Sequence, residues 1–398
     1  MPDVAFVFSN PRHHLEMMAP VAEELTRRNV TCTLVSLAEM RGFETPKQSG
    51  ARRVLPLNVR RRRSTPSEGS GEEGTWRRGR LAKQLVWTLG LGPRLRWMLH
   101  RTRVIVVPND AVYPYIELVE QLRKSKPQAR TVLMQEGIRF PLPESYTGPR
   151  YGSAVSAAVC AWGEGSKDFF VASKVPESRI VVTGTPRLDG LDVAMWKARG
   201  QELLATLKLS APPIAFLSNP IELQGYGSKA QKLELFARFL AGAAPVLKAR
   251  NIPVIVKNHL YEDPNDYARV AAASPIPELV TVLDSVPIFA AIAAARAAVV
   301  LTSTVGLEAL TFGLPLGVME IPGHDFVFEY VQRGAAVPIR VASVTRGVEQ
   351  LLDRDDVRTA AGKAFVERHL HDQGRARHNV ADVIERILAT DPHGTTRR

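Results

Sequence analysis

Short apolar runs alternate along the chain with longer amphipathic stretches, and the pattern occurs twice. Residues 4–8, 31–37, 104–108, 131–135, 159–162 and 180–183 read as strands, apolar and mostly Val, Ile or Leu, as strands buried on both faces are. Between the first two, residues 15–28 carry apolar positions at helical spacing. After a connecting helix predicted over 194–209, the pattern restarts with strands at 214–217, 254–257, 280–283, 299–301 and 316–319. Strand–helix alternation of this kind predicts an α/β protein with two parallel, doubly wound, Rossmann-like domains facing an interdomain cleft. The expected boundaries are 1–194 and 195–388, with 389–398 a disordered tail. A chain of 398 residues is also longer than one core usually supports. Ligands of such sheets sit beyond the carboxyl ends of the strands, so the loops that follow strands are searched for chemistry.

The most distinctive loop follows the fourth strand of the second half. Val299-Val300-Leu301 runs into Thr302-Ser303-Thr304, and a helical pattern opens at Val305 and closes at Gly313-Leu314-Pro315. A helix start flanked by hydroxyls suits an anion, because the dipole and the unpaired N–H groups both favour negative charge. Glu308 lies about one turn further in, where a carboxylate reaches hydroxyls attached to that anion. Phosphate with a vicinal diol describes a nucleotide, so Thr302, Ser303, Thr304 and Glu308 are nucleotide-binding candidates. Ordinary capping by Thr302 or Ser303, with Glu308 a surface acid, is the competing reading.

Other strand ends add to this. In the second half, Ser218-Asn219-Pro220 follows one strand and Lys257-Asn258-His259 ends the next. Lys257 and His259 would make a cationic pair for a diphosphate leaving group, with Ser218 and Asn219 lining the same pocket. In the first half, Ser9-Asn10-Pro11-Arg12-His13-His14 leads into the first helix. A His at a helix N-terminus is kept neutral by the dipole and can serve as a base, so His14 and then His13 are candidates. Glu136, before Gly137, and Asp110, after Asn109, occupy equivalent strand ends and are candidate carboxylate bases. Which of these loops supplies the base stays open. Gly184-Thr185-Pro186-Arg187-Leu188-Asp189 reads as a turn whose Arg187 and Asp189 orient a hinge, and Gly323-His324-Asp325 as a further loop on the cleft.

Charge is concentrated. The net formal charge is +12, and residues 52–103 hold fourteen Lys or Arg against three acids. Arg60-Arg61-Arg62-Arg63 opens a Ser- and Gly-rich stretch read as part of a mobile insertion over about 58–102. Residues 81–100 interleave Leu, Val, Trp87 and Trp97 with Arg and Lys, as a helix on an anionic membrane surface does. No nucleic-acid module accompanies this patch, so peripheral membrane contact through 60–103 is the expected partner and nucleic acid is not. Apolar runs fall short of the roughly 20 residues needed to span a bilayer. The start Met1-Pro2-Asp3-Val4 shows no basic leader, and Cys32 and Cys160 read as buried thiols of a reducing cytoplasm. Asp353-Arg354-Asp355-Asp356 reads as a solvated helix end, and neither a metal nor another cofactor is expected.

The 184–189 turn, the Lys257-Asn258-His259 strand end, Thr302-Ser303-Thr304, Glu308-Ala309-Leu310 and Gly313-Leu314-Pro315 together resemble the GT-B glycosyltransferase superfamily. Within it the motifs are most similar to bacterial capsule-polysaccharide and CDP-glycerol glycerophosphotransferase-like proteins, with non-hydrolysing UDP-N-acetylglucosamine 2-epimerases as cousins. The resemblance implies a nucleotide diphosphate sugar as donor, held mainly by the second domain, with Ser303 and Thr304 on the diphosphate, His259 on its oxygens and Glu308 on the ribose. It implies sugar transfer to a hydroxyl of a glycan, a lipid-linked acceptor or a small molecule, in cell-envelope polysaccharide or natural-product glycoside synthesis. Epimerisation of the nucleotide sugar is the alternative; a non-catalytic nucleotide- or membrane-binding protein is a third. Capsule-type enzymes carry His-Pro where this chain has His259-Leu260, and epimerases a His where it has Gln135.

Overall fold

The computed structural model describes residues 2–41, 43–49, 52–57, 87–138, 150–260, 262–353 and 355–390. They form two compact units, residues 1–191 with the chain from Arg368 onward, and residues 192–367.

The first unit is built on one sheet. Its strands are β1 (Val4–Phe8), β2 (Cys32–Ser36), β3 (Gln48–Ser49), β4 (Arg52–Pro56), β5 (Val104–Val107), β6 (Arg130–Met134), β7 (Ala158–Ala161) and β8 (Ile180–Val182). Their order is β3-β4-β2-β1-β5-β6-β7-β8, parallel throughout except for the β3–β4 pair. Strand order reverses between β1 and β5, which pair Val4 with Val104 and Phe6 with Val106. All five residues of β1 are buried, which is why an unbroken apolar run is found there.

The second unit repeats the scheme with β9 (Ile214–Leu217), β10 (Val254–Lys257), β11 (Val280–Leu283), β12 (Ala297–Val300), β13 (Leu316–Met319) and β14 (Val337–Ile339). The all-parallel order β11-β10-β9-β12-β13-β14 is the doubly wound one, reversing between β9 and β12. Its helices are stopped and started by side chains. Ser228 and Gln231 make a reciprocal capping box for Lys229–Arg250, and Asn251 ends that helix in the left-handed region at φ 47°.

Five strands match their sequence expectations to the residue and the others differ by one or two positions. Three strands are absent from the expectation: β3, β4 and β14. β3 and β14 are two and three residues long and lie at sheet edges, and β4, beside one, opens on Arg52 and Arg53 and closes on Pro56, so none offers a long apolar run. Pro338 is tolerated in β14 because an edge strand has a free side for a residue without an N–H. The first helix, His13–Arg27, starts two residues earlier than predicted and so includes both histidines.

The C-terminal helix, Ala376–Ala389, differs from expectation more substantially, for it packs on the first unit and not the second. Its N-terminus is capped by Asp189, whose two oxygens accept from Ala376 N at 2.9 Å and Arg377 N at 2.6 Å. Arg28 donates from Nη1 to Asp382 Oδ1 and, at 2.7 Å, to Glu385 Oε2. These contacts join residues far apart in sequence, and no local pattern announces them.

The basic segment is also corrected in part. Residues 87–91 form a wide π-type turn that leads into the helix Gly92–Met98. Trp87, Leu91, Leu95 and Leu99 are buried in the core of the first unit beside Ile105, Leu118 and Leu122, so this apolar face is not free for lipid. Trp97 alone among these large side chains is exposed, at 73 %. Arg60 to Arg63 lie outside the described residues. Among the described residues no helix is long and apolar enough to cross a membrane. Cys160 is buried in β7, and desolvation pushes its thiol up to about 12, which fits an inert core thiol.

Candidate functional site

In each unit, polar side chains gather at the carboxyl ends of the two strands that flank the reversal of strand order. In the first unit these are the loops after β1 and β5, joined by the loop after β6. Asn10 Oδ1 accepts from Arg12 N at 3.0 Å and His13 N at 3.1 Å, turning the chain into the helix. His14, 4 % exposed, has both ring nitrogens engaged. Its Nδ1 accepts from Asn10 N at 3.1 Å and Ser9 N at 3.3 Å, so the ring proton sits on Nε2 and is donated to Glu136 Oε2 at 2.9 Å. His14 therefore orients the carboxylate and has no lone pair left to act as the base expected of it.

Glu136 is the centre of the cluster. Its Oε1 accepts from Asn109 Nδ2 at 2.6 Å, its N donates to Tyr151 OH at 3.0 Å, and its backbone O accepts from His13 Nε2 at 2.5 Å. A carboxylate held by two neutral donors and still 22 % exposed is a positioned proton acceptor. His13 is the second. Its Nε2 proton is fixed on Glu136 O, and among the described residues its Nδ1 has no partner. Desolvation, with the nearby charge of Arg187, pushes His13 down to about 3, so it is neutral at neutral pH.

That shift has a stability consequence. The unfolded chain takes up a proton on His13 near the ordinary value of 6.5, and the folded chain does so only at about 3. Neutral His13 thus costs nothing above pH 6.5, and the folded state loses stability as pH falls from 6.5 toward 3. Denaturant unfolding across that range is expected to show a steeper loss for the wild type than for His13→Gln. Parallel curves would refute the desolvated state of this ring.

Asp110 departs from its expected role. Burial raises its pKa, yet its oxygens accept from Gly152 N and Ala154 N at 2.7 Å and from Val155 N at 3.2 Å. It fastens the 152–155 turn and is not placed as a base. Its neighbour Asn109, which the sequence reading passed over, is the residue that reaches Glu136. Arg187 donates to Glu16 Oε2 at 2.8 Å and Asp189 caps the last helix, so both act inside the first unit and not as a hinge.

In the second unit, Asn219 after β9 and Thr302 after β12 meet across the reversal. Asn219 Nδ2 donates to Thr302 Oγ1 at 2.9 Å, and Gln224 accepts from both. Ser303 Oγ accepts from Val305 N at 3.2 Å, closing the turn into the helix Val305–Thr311. Gly306 is required there, since a Cβ would lie 2.9 Å from Cζ of Tyr330, whose OH donates to Ser303 O at 3.1 Å. Thr304 is the last residue before that helix and makes no side-chain cap. Glu308, 3 % exposed, sits in the first turn, and its charge adds to burial in raising the Tyr330 phenol.

Ser218 belongs to a buried network the sequence did not reveal. Its Oγ and Tyr267 OH both donate to Glu262 Oε1, at 3.1 and 2.9 Å. Lys232, 2 % exposed, pairs with that same oxygen and with both oxygens of Glu222 at 2.9 Å. Glu262 Oε2 accepts from His259 N at 2.7 Å, which fixes the backbone carrying His259. Burial is the largest influence on His259 and holds its pKa below the ordinary value, with Lys232 and Lys257 acting the same way against Glu262. His259 is thus a neutral donor or acceptor, not half of the cationic pair expected with Lys257. Lys257 Nζ donates to Asn258 O at 3.2 Å. His324 lies edge-on to Tyr226 with ring centroids 5.4 Å apart. Among the described residues no group of three His, Cys, Asp or Glu could hold a metal ion.

Neither a protein-family model nor a curated protein sequence matches this chain. Solved structures do. The UDP-GlcNAc 2-epimerase of Neisseria meningitidis bound to UDP-GlcNAc is similar with a TM-score of 0.61 and 14 % identity, over 96 % of this chain and 99 % of that one. The UDP-GlcNAc 2-epimerase of Methanocaldococcus jannaschii, in complex with UDP-GlcNAc and UDP, gives 0.57 and 11 % over 96 % and 99 %. A glycosyltransferase of Rickettsia africae gives 0.54 and 12 % over 98 % and 99 %. The fold is therefore GT-B, two Rossmann-like domains, and the likeness at these identities is one of fold alone. Nothing among these structures singles out the capsule and CDP-glycerol proteins.

Proposed function

We propose that this protein is an enzyme acting on a nucleotide diphosphate sugar, breaking the bond between the anomeric carbon and the diphosphate. The observation that carries the reading is the pairing of polar clusters with the strand-order reversals of both sheets, the place where doubly wound sheets take ligands. The second unit's part is nucleotide binding by Ser303, Thr304, His259 and Glu308, backed by Asn219, Thr302, Lys257 and Ser218. The first unit's part is proton transfer by Glu136 or His13, with His14 and Asn109 as orienting groups.

Two reactions use these parts. Epimerisation at the sugar carbon next to the anomeric centre is favoured by the similar structures, two of which are 2-epimerases with UDP-GlcNAc bound. Transfer to a hydroxyl is favoured by Gln135. The epimerase pattern has a titratable His at that position, whereas the Gln135 amide is tied to Trp162 N, Gly137 O and Ser166 Oγ and cannot carry a proton. Both reactions expel the diphosphate, and stabilising it is the larger electrostatic demand in either.

Incubation with UDP-GlcNAc, followed by NMR, decides between them. A C2 epimer formed without acceptor supports epimerisation. UDP released only when a hydroxyl acceptor is present supports transfer. Donor unchanged in every combination, across UDP, GDP and CDP sugars, overturns the enzyme reading and leaves a non-catalytic binding protein.

Glu308→Ala is expected to weaken nucleotide binding by about 1.5–3 kcal/mol, roughly ten- to a hundredfold, the cost of one charge-assisted hydrogen bond. Calorimetric titration with UDP measures it, and unchanged affinity removes Glu308 from the site.

A further inference from the structure

At the amino-terminal ends of the first sheet's strands, where β5 and β6 begin, the surface holds a pocket of about 220 Å³. Its walls include His100, Arg101, Thr102, Arg103, Lys126 and Arg130, and no Asp or Glu is among the lining residues. Like charges gathered without acids repel one another and attract an anion. The partners seen for two of the cations are neutral carbonyls. Arg103 Nη2 donates to Leu388 O, and Lys126 Nζ to Leu99 O at 2.8 Å and Thr102 O. Hydrogen bonds of that kind hold the cations in place without cancelling their charge.

Two further features point the same way. Thr102 is 1 % exposed, and its Oγ1 is buried without a hydrogen-bond partner among the described residues, a state that usually signals a missing acceptor or donor. Trp97, exposed at 73 %, belongs to the same surface turn, its backbone O lying 2.7 Å from His100 Nδ1. An indole beside cations is what a membrane interface favours.

We infer that this pocket binds a phosphate group, carried either by an acidic phospholipid head or by a small soluble phosphate. The site is separate from the Glu136 cluster, which lies at the carboxyl ends of the same strands, and the inference does not rest on the nucleotide-sugar reading.

The test uses the full-length protein with two probes, vesicles of phosphatidylglycerol against phosphatidylcholine, and inorganic pyrophosphate in solution. Sedimentation with phosphatidylglycerol vesicles only, weakened by high salt, assigns the phospholipid head; calorimetric binding of pyrophosphate as well assigns the phosphate itself. In either case Arg101→Gln with Arg103→Gln is expected to lower affinity at least tenfold, and Thr102→Val severalfold, with an unchanged circular dichroism spectrum and denaturant midpoint as evidence of a folded chain. The inference is overturned if neither probe binds at low salt, or if binding is the same in wild type and variants.

Discussion

Replacing Glu136 by Gln is expected to lower turnover of the nucleotide sugar by about 10²–10⁴-fold while nucleotide affinity is retained. The side chain keeps its size, so the 152–155 turn and the Asn10 turn are left alone. What disappears is the proton acceptor. Both carboxylate oxygens now accept hydrogen bonds, from His14 Nε2 and Asn109 Nδ2, and an amide can accept at only one of those places. The other donor would face an NH₂ group, so a small loss of stability accompanies the loss of rate. His13→Gln, measured in parallel, separates the two candidate bases, because His13 Nδ1 is the remaining site that can take a proton. Turnover undiminished in both variants would place the base outside this cluster.

Lys232→Met is expected to destabilise the second unit by about 3–5 kcal/mol, the range for breaking a buried ion pair by removing one partner. The cost arises from what stays behind. Glu262, whose side chain is 3 % exposed, would keep its charge with Ser218, Tyr267 and the His259 N–H as its donors among the described residues. Glu222, 27 % exposed, can turn to water and adds less. Lys232→Met with Glu262→Gln removes the stranded charge and is expected to recover most of the loss. Denaturant unfolding of the three proteins measures this directly. A single variant within 1 kcal/mol of wild type would show that water already reaches this network.

The sequence by itself determined the class of fold and the places to look. Strands buried on both faces need continuous apolar runs, and β1, β9, β10 and β13 were legible for that reason. Ser9-Asn10, Asn109, Ser218-Asn219 and Thr302-Ser303 follow such runs, so the carboxyl ends of the central strands could be named before any contact was known. Residue roles at those ends were a matter for tertiary structure. His14 and Asp110 have the right chemistry for a base, but backbone N–H groups of Ser9 and Asn10 occupy one and those of Gly152, Ala154 and Val155 the other. Glu136 is left as the usable carboxylate because Asn109 and His14, from two other loops, converge on it. Lys232 and Glu262 are thirty positions apart and look like ordinary surface charges until folding buries them together. The return of the last helix to the first unit depends on Arg28 and Asp189 meeting residues far along the chain. Hydrophobic periodicity is a local property, set by which face of an element is buried. Hydrogen-bond partners across loops depend on the strand order, and only the assembled sheet decides that.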